Sequence, residues 1–188
     1  MKGFIEILSD IVKNMKVTIK VPMDIENNLF VERENPKLNF LFGNAQYIKE
    51  QLDIYSKAEL ECESNIKFPL VALFTPINES RSDADAYSSA KLTLMIACSS
   101  SKEWSNERRL DTSFKNVLIP IYESLLKTIK EDNRLDVGYD EVIKHEYSEN
   151  YSYGRYGAYT ESGEAMSEPI DAINIRSMEL KIKNFSCR

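Results

Sequence analysis

The hydrophobic positions of the chain recur with two periods, one typical of helices and one typical of strands. Spacings of three and four predict an amphipathic helix from about residue 3 to 15 and a second one over about 45–60, with Asn44 as its cap. A third helical region is predicted over about 105–131. Within the four residues before Pro120 we expect a kink or a break, because a proline inside a helix removes a hydrogen bond and clashes with the preceding turn.

Strand patterns lie between and after these helices. Alternation predicts a short strand that ends at Pro22, a strand over 92–98 and, with weaker alternation, a strand over 137–147. Residues 68–74 are apolar at nearly every position, which is typical of a central strand covered on both faces. The acids and asparagines over 24–36 predict a loop.

The last predicted strand changes its inward face partway along. Ile173 and Ile175 share one parity, whereas Met178, Leu180 and Ile182 share the other. One extra residue near Ser177 would keep the same face buried, so the pattern predicts a β-bulge there and a curved strand. The alternative is a strand that leaves one sheet layer and buries its other face elsewhere.

Strands mixed with helices, without regular βαβ alternation, indicate an α+β fold. We predict a mostly antiparallel sheet of about four strands with helices packed on one side, a curved and bulged C-terminal strand and a long Tyr-rich loop. The 188 residues suit one domain. In it, residues 1–43 supply an N-terminal helix, a short strand and a loop, and residues 44–183 form the core.

Charge and cysteine content narrow the function classes. The chain has 24 basic and 30 acidic side chains, a net charge of -6, and no basic cluster, which disfavours direct DNA or RNA binding. Cys62, Cys98 and Cys187 form no CxxC pair, so neither a disulfide framework nor a zinc site is indicated, and a reducing compartment fits best. No signal peptide or apolar stretch long enough to span a membrane is recognisable, so we expect no membrane association.

Candidate chemistry is sparse. No phosphate-binding or hydrolase motif is present, and His145 is the single histidine. Cys98 has two interpretations. It could be a catalytic thiol with His145 as its partner, or, as is more common for a cysteine in an apolar strand, a buried and inert thiol. Four carboxylates could form pairs that bind a metal or cleave glycosides, although such acids more often occupy solvated turns: Asp83 with Asp85, and Asp140 with Glu141. We therefore expect no enzyme activity, no cofactor and no metal.

Tyrosine is concentrated in one segment, since six of the ten tyrosines lie within residues 139–159. Tyrosine and arginine are enriched at binding hot spots, and Tyr, Ser and Gly at antibody paratopes, so this segment predicts an interface in an extended loop over about 148–168. The alternative is that the rings cover the domain's own sheet. The candidate interface residues are Tyr147, Tyr151, Tyr153, Arg155, Tyr156 and Tyr159.

The order of elements over residues 44–183 adds a resemblance. Residues 67–74, the alternating strand at 92–98, residues 106–122 and residues 170–175 together resemble the tail-terminator, tail-completion and neck (head-to-tail connector) ring proteins of tailed phages. The resemblance rests on strand and helix patterns and carries no catalytic residue. It implies an α+β structural protein of the virion, assembled in the host cytoplasm, that forms a homo-oligomeric ring between the portal or adaptor and the tail proteins. Genomic DNA would pass through such a ring only as cargo.

Two other classes remain open. A metal-dependent small hydrolase or nuclease would bind divalent metal and lose it on substitution of Asp83 or Asp140. A cytosolic adaptor that forms no ring would stay monomeric at high concentration. For the ring subunit, we expect removal of residues 151–159 to prevent assembly or docking while leaving the monomer folded.

Overall fold

The computed structural model describes most of the chain in six stretches. They comprise residues 3–24, 29–62, 67–81, 87–138, 142–155 and 169–183, with the side chains of 24, 56–62 and 152–155 outside the description.

The predicted helices are present close to their expected bounds. The helical elements are α1 (Phe4–Asn14), α2 (Ala45–Cys62), α3 (Asn106–Arg109), a π-helical segment (Leu110–Leu118) and α4 (Ile119–Glu131). The Asn44 side chain accepts a hydrogen bond of 2.8 Å from the Tyr47 N–H, which confirms the predicted cap of α2. No helix among the described residues is long and apolar enough to cross a membrane.

The third helical region is continuous, so the break that was one alternative for the residues before Pro120 is absent. Arg109, Leu118 and Ile119 all have right-handed helical dihedrals, and the wider π-helical segment precedes α4, which carries Pro120 in its first turn. The Asn116 side chain donates 2.6 Å to the Asp111 carbonyl within the wide segment. The irregularity before Pro120 is therefore a widened, π-helical stretch of a continuous helical region, not a break.

Nine strands in the described part of the chain form two sheets. The strands are β1 (Thr18–Asp24), β2 (Leu29–Glu34), β3 (Asn39–Gly43), β4 (Leu70–Phe74), β5 (Glu79–Arg81), β6 (Tyr87–Ser99), β7 (Leu135–Asp136), β8 (Glu146–Arg155) and β9 (Pro169–Lys183). β1 and β2 pair with each other, and the other seven form one sheet of order β3-β4-β6-β9-β7, with β5 also beside β6 and β8 also beside β9. Only β3 and β4 pair in parallel among the described strands. The fold is therefore α+β and mostly antiparallel, but the predicted count of about four strands is wrong.

Three local predictions also need correction. β2 lies inside the predicted loop over 24–36, because its pairing with β1 creates a strand whose side chains are mostly exposed and so show no apolar alternation. β1 continues past Pro22 to Asp24 across a register shift, where a strand tolerates proline. In the predicted strand over 137–147, the described residues 137–138 and 142–145 are irregular chain, and Glu146 and Tyr147 belong to β8.

The C-terminal strand β9 has a β-bulge near Ser177, where its hydrophobic residues change parity. Leu92 of β6 pairs with Met178, and Leu94 pairs with Ile175, so one residue of β6 faces Arg176 and Ser177 of β9. Ser177 has a positive φ of 52°. Ile175 and Met178 are both fully buried on either side of this β-bulge, so the same face of β9 stays in the core.

Helices cover both faces of the large sheet, in contrast to the prediction of one covered side. α1, the π-helical segment and α4 pack on the face that presents Val71 and Leu73 of β4. α2 packs Ile48 and Leu52 on the opposite face, which presents Leu70 and Ala72 of β4. Both faces of β4 are buried, as its continuous apolar run predicted, and a second helical layer is what covers the second face.

Candidate interaction surface at the edge strand β8

β8 is an edge strand whose side chains alternate between the two faces of the sheet. Among the described strands it pairs with β9 alone, with Tyr147 opposite Ile175 and Glu149 opposite Ile173. Tyr147, Glu149 and Tyr151 share one face because side chains in a strand alternate with a period of two. Tyr151 packs against the core beneath the π-helical segment, so this is the face covered by α1, the π-helical segment and α4.

Glu149 holds two tyrosine hydroxyls. The Tyr147 hydroxyl donates to Oε1 at 2.7 Å, and the Tyr151 hydroxyl donates to Oε2 at 3.1 Å. Burial, and next the hydrogen bond to the Glu149 carboxylate, raise the pKa of both Tyr147 and Tyr151 above the usual tyrosine value. Both hydroxyls therefore stay protonated and fix the orientation of their rings.

The same rings extend into a larger aromatic strip, made up of Phe114, Tyr122, His145, Tyr147 and Tyr151. The Tyr151 ring centroid lies 4.3 Å from that of Phe114, and the Tyr147 centroid lies 5.0 Å from that of Tyr122. These distances are typical of stabilising aromatic pairs. The strip connects the edge strand to the π-helical segment and α4, so β8 is held in place by side chains as well as by its ladder.

His145 is fully hydrogen-bonded within this strip. Its Nδ1 lies 2.7 Å from the Ile143 carbonyl, which can only accept, so Nδ1 carries the proton. Nε2 then accepts from the Tyr122 hydroxyl at 2.7 Å. Both ring nitrogens are used in positioning β8, and neither bonds to Cys98.

The predicted interface residues have different locations. Tyr147 is 40% exposed and Tyr151 is half-buried against Phe114. Both belong to β8, so the predicted loop over about 148–168 is wrong as far as Arg155, where the strand ends. Tyr153 and Arg155 lie in β8 with side chains outside the description, and Tyr156 and Tyr159 lie outside the described residues. The alternative that the rings cover the domain's own sheet holds for Tyr151, whereas Tyr147 both packs on Tyr122 and faces solvent.

A buried polar network lies on the inner side of the strip, and the sequence analysis above did not identify it. The guanidinium of Arg109 forms a 2.9 Å ion pair with Asp171, and Ser113 donates to the same carboxylate at 2.7 Å. Arg109 also donates to the Ser100 hydroxyl at 2.6 Å and to the carbonyls of Ser101 and Trp104. Every one of these contacts joins the start of the third helical region to the sheet or to the turn before it, so the network is structural.

Cys98 adjoins this network as a buried thiol. Burial, and next the charge of Asp171, raise its pKa from 9.0 to about 12. The thiol is therefore protonated at neutral pH and is a poor nucleophile, as the buried interpretation of Cys98 predicted.

The described part of the chain lacks a metal-binding cluster. No group of three or more His, Cys, Asp or Glu side chains there could hold a metal ion. Asp83, Asp85, Asp140 and Glu141, the predicted carboxylate pairs, lie outside the described residues. The arrangement at β8 is suited to contact with another protein, since it presents a rigid aromatic ring on a strand that has a single strand partner among the described residues.

Comparison with known proteins does not assign the chain to a family. No family model matches it, and the searches of curated proteins and of solved structures gave no significant match.

Proposed function

We propose that the protein is a structural subunit of a tailed-phage virion that forms a ring at the head–tail joint. The observation that carries the proposal is the edge strand β8, which displays Tyr147 at 40% exposure while Tyr122 and Glu149 hold its ring in one orientation. A rigid, partly exposed tyrosine on an open edge is the kind of residue that anchors protein interfaces. The resemblance in element order to neck and tail-terminator proteins supplies the type of assembly.

The small sheet offers a second docking surface, suited to the portal, adaptor or tail proteins that would adjoin such a ring. Met23, Leu29 and Val31 of the β1–β2 hairpin are 76%, 54% and 44% exposed. Ile19, near the base of the hairpin, is buried in the core and anchors it. Clustered exposed apolar side chains on soluble proteins mark interaction sites, so the hairpin is proposed to contact a neighbouring protein in the neck or tail.

The first test is the size of the purified protein. Light scattering of the wild type should give a mass several times 21.7 kDa, and particle images should show closed rings. Tyr147→Ala should lower the fraction of assembled protein, because it removes the exposed ring from the edge. Ile54→Ala is the matched control, since Ile54 is 54% exposed on α2, on the opposite face of the large sheet, and its loss should leave the mass unchanged.

A wild-type protein that stays monomeric at high concentration would overturn the ring and favour the adaptor. The tyrosine substitution is also preferable to removal of residues 151–159. Residues 151–155 belong to β8, and Tyr151 packs on Phe114, so that deletion would damage the fold as well as the surface.

A further inference from the structure

We propose that a cavity between the β1–β2 hairpin, the large sheet and the π-helical segment binds a small aryl carboxylate. The acid group of this ligand meets Arg33 at the cavity mouth, and its ring lies between apolar walls. The cavity has a volume of about 560 Å³, which is within the range of small-molecule sites. The site goes beyond the proposed ring, and neither proposal depends on the other.

Three parts of the fold supply the apolar walls of the cavity. The hairpin contributes Ile19 and Val21, and the π-helical segment contributes Val117. The segments before β4 and after β6 contribute the aromatic side chains of Phe68 and Trp104, both of which are half-buried. A lining of aliphatic and aromatic side chains is typical of ligand sites and suits a planar apolar body.

Arg33 supplies a cation at the mouth of the cavity. In the hairpin it pairs directly with Ile19, whose side chain lines the cavity. Directly paired residues of an antiparallel pair have their side chains on the same face, so Arg33 lies on the cavity side. It is exposed and forms no ion pair with a described residue. Its guanidinium can therefore bind a carboxylate through two parallel hydrogen bonds.

Two further charged residues adjoin the cavity, Lys37 and Glu34. Lys37 is exposed and also lacks an ion pair with a described residue. Glu34 pairs with Thr18, so its side chain lies on the outward face of the hairpin, where Lys20 and Glu32 form an ion pair of 3.3 Å. The charged side chains on the cavity side are therefore cationic, although the whole chain is acidic, and they favour an anionic ligand.

The inner end of the cavity has a hydroxyl without a partner in the described part of the chain. Thr112 is 5% exposed and lines the cavity, and its side chain forms no hydrogen bond with a described residue. Because buried hydroxyls are nearly always hydrogen-bonded, Thr112 marks a place for an incoming polar atom.

The neighbouring side chain fixes which end of the ligand lies inside. Ser113 also lines the cavity, and it donates 2.7 Å to the buried Asp171 carboxylate. That carboxylate would repel a second anion at the inner end. The acid group of the ligand therefore lies at the mouth with Arg33, and a neutral polar group, such as a ring hydroxyl, lies inside with Thr112.

Trp104 makes binding directly observable, because it is the single tryptophan of the chain and lines the cavity. Titration with phenylpropanoate should change its fluorescence saturably, with a dissociation constant of about 1 mM or lower. Excitation at the red edge of tryptophan absorption avoids absorption by the ligand. Phenylpropanol has the same ring and chain length, and it should bind at least about fivefold more weakly because it cannot form an ion pair with Arg33.

Paired variants test the contact at the mouth. Arg33→Gln should weaken phenylpropanoate binding at least about fivefold and leave phenylpropanol binding unchanged. Lys20→Gln is the matched control, since it removes one positive charge from the outward face of the same hairpin. It should change neither affinity by more than about twofold.

A second ligand tests the contact at the inner end. Para-hydroxyphenylpropanoate should bind the wild type at least about threefold more tightly than phenylpropanoate, because its ring hydroxyl reaches Thr112. Thr112→Val removes the threonine hydroxyl but keeps the shape of the side chain, so it should abolish this difference. An absent preference in the wild type, or one that persists in Thr112→Val, would overturn the inner contact.

Thermal unfolding checks that the variants fold, and phenylpropanoate should raise the melting temperature of the wild type. Three results would overturn the site: no saturable change in Trp104 fluorescence, equal affinities for the acid and the alcohol, or equal losses in Arg33→Gln and Lys20→Gln. None of them bears on the ring, which the mass of the purified protein tests separately.

Discussion

The ion pair between Arg109 and Asp171 is the contact on which the third helical region most depends. The exposed fractions of the two side chains are 4% and 0%. Removing one partner of a buried pair leaves the other charge uncompensated, which costs about 3–5 kcal/mol. We predict that Arg109→Met lowers the free energy of unfolding by this amount, measured by urea denaturation.

The neighbouring arginine provides the control. Arg108 is half-buried, and Arg108→Met should change the free energy of unfolding by no more than about 0.5 kcal/mol. A loss below about 1 kcal/mol for Arg109→Met would mean that water or another group compensates Asp171, and the structural role given to the network would be wrong.

Only one partner of this buried ion pair could have been recognised from the sequence. Asp171 stands in an apolar stretch between Ile170 and Ile175, and a carboxylate at such a position must find a buried cation or donor. That signal was available in the sequence. The identity of the partner was not, because Arg109 reaches Asp171 only through the packing of a helical region on β9, far away along the chain.

At the scale of elements, the β-bulge in β9 has a measurable consequence. Ser177 has a positive φ of 52°, which costs an L-amino acid about 1–2 kcal/mol and costs glycine almost nothing. Ser177 is exposed, so its side chain contributes little packing. We predict that Ser177→Gly leaves the free energy of unfolding unchanged or raises it by up to about 1 kcal/mol. Ser177→Val should lower it by a similar or larger amount. Thermal or urea unfolding measures both changes.

Ser80 of β5 is a matched site with the opposite expectation. It is an exposed strand serine without a positive φ, so Ser80→Gly should destabilise the protein and Ser80→Val should not. The same order of stability at both sites, with valine above glycine, would contradict a strained backbone at Ser177.

The sequence predicted elements where burial is one-sided and periodic. α1, α2, β6 and the parity change in β9 show this, since each has one face that must be apolar. β4 was found from a different pattern, a continuous apolar run, because both of its faces are buried. β2 could not be found because its side chains are mostly exposed and its structure depends on pairing with β1. Composition indicated the tyrosines of residues 139–159 but not their packing partners Phe114 and Tyr122. Its division into a packed Tyr151 and a partly exposed Tyr147 depends on the register of β8 against β9.

At the scale of the whole molecule, the net charge bears on how a ring of these subunits would treat DNA. Each chain carries -6, and a closed assembly multiplies that charge around one axis. Charges of like sign repel over a Debye length of about 8 Å at physiological salt, so a conduit of this composition would let the duplex slide without adhering to it.

We therefore predict that the assembled protein does not bind double-stranded DNA at about 0.15 M salt, measured by fluorescence anisotropy of a labelled duplex. Salt dependence makes the test sharper. A protein that neutralises phosphates binds more tightly as salt is lowered, because counterions are released, whereas repulsion between an acidic surface and the backbone grows as screening weakens. An affinity that appears at physiological salt and rises on dilution of the buffer would contradict the passive conduit and indicate a basic face that the net charge conceals.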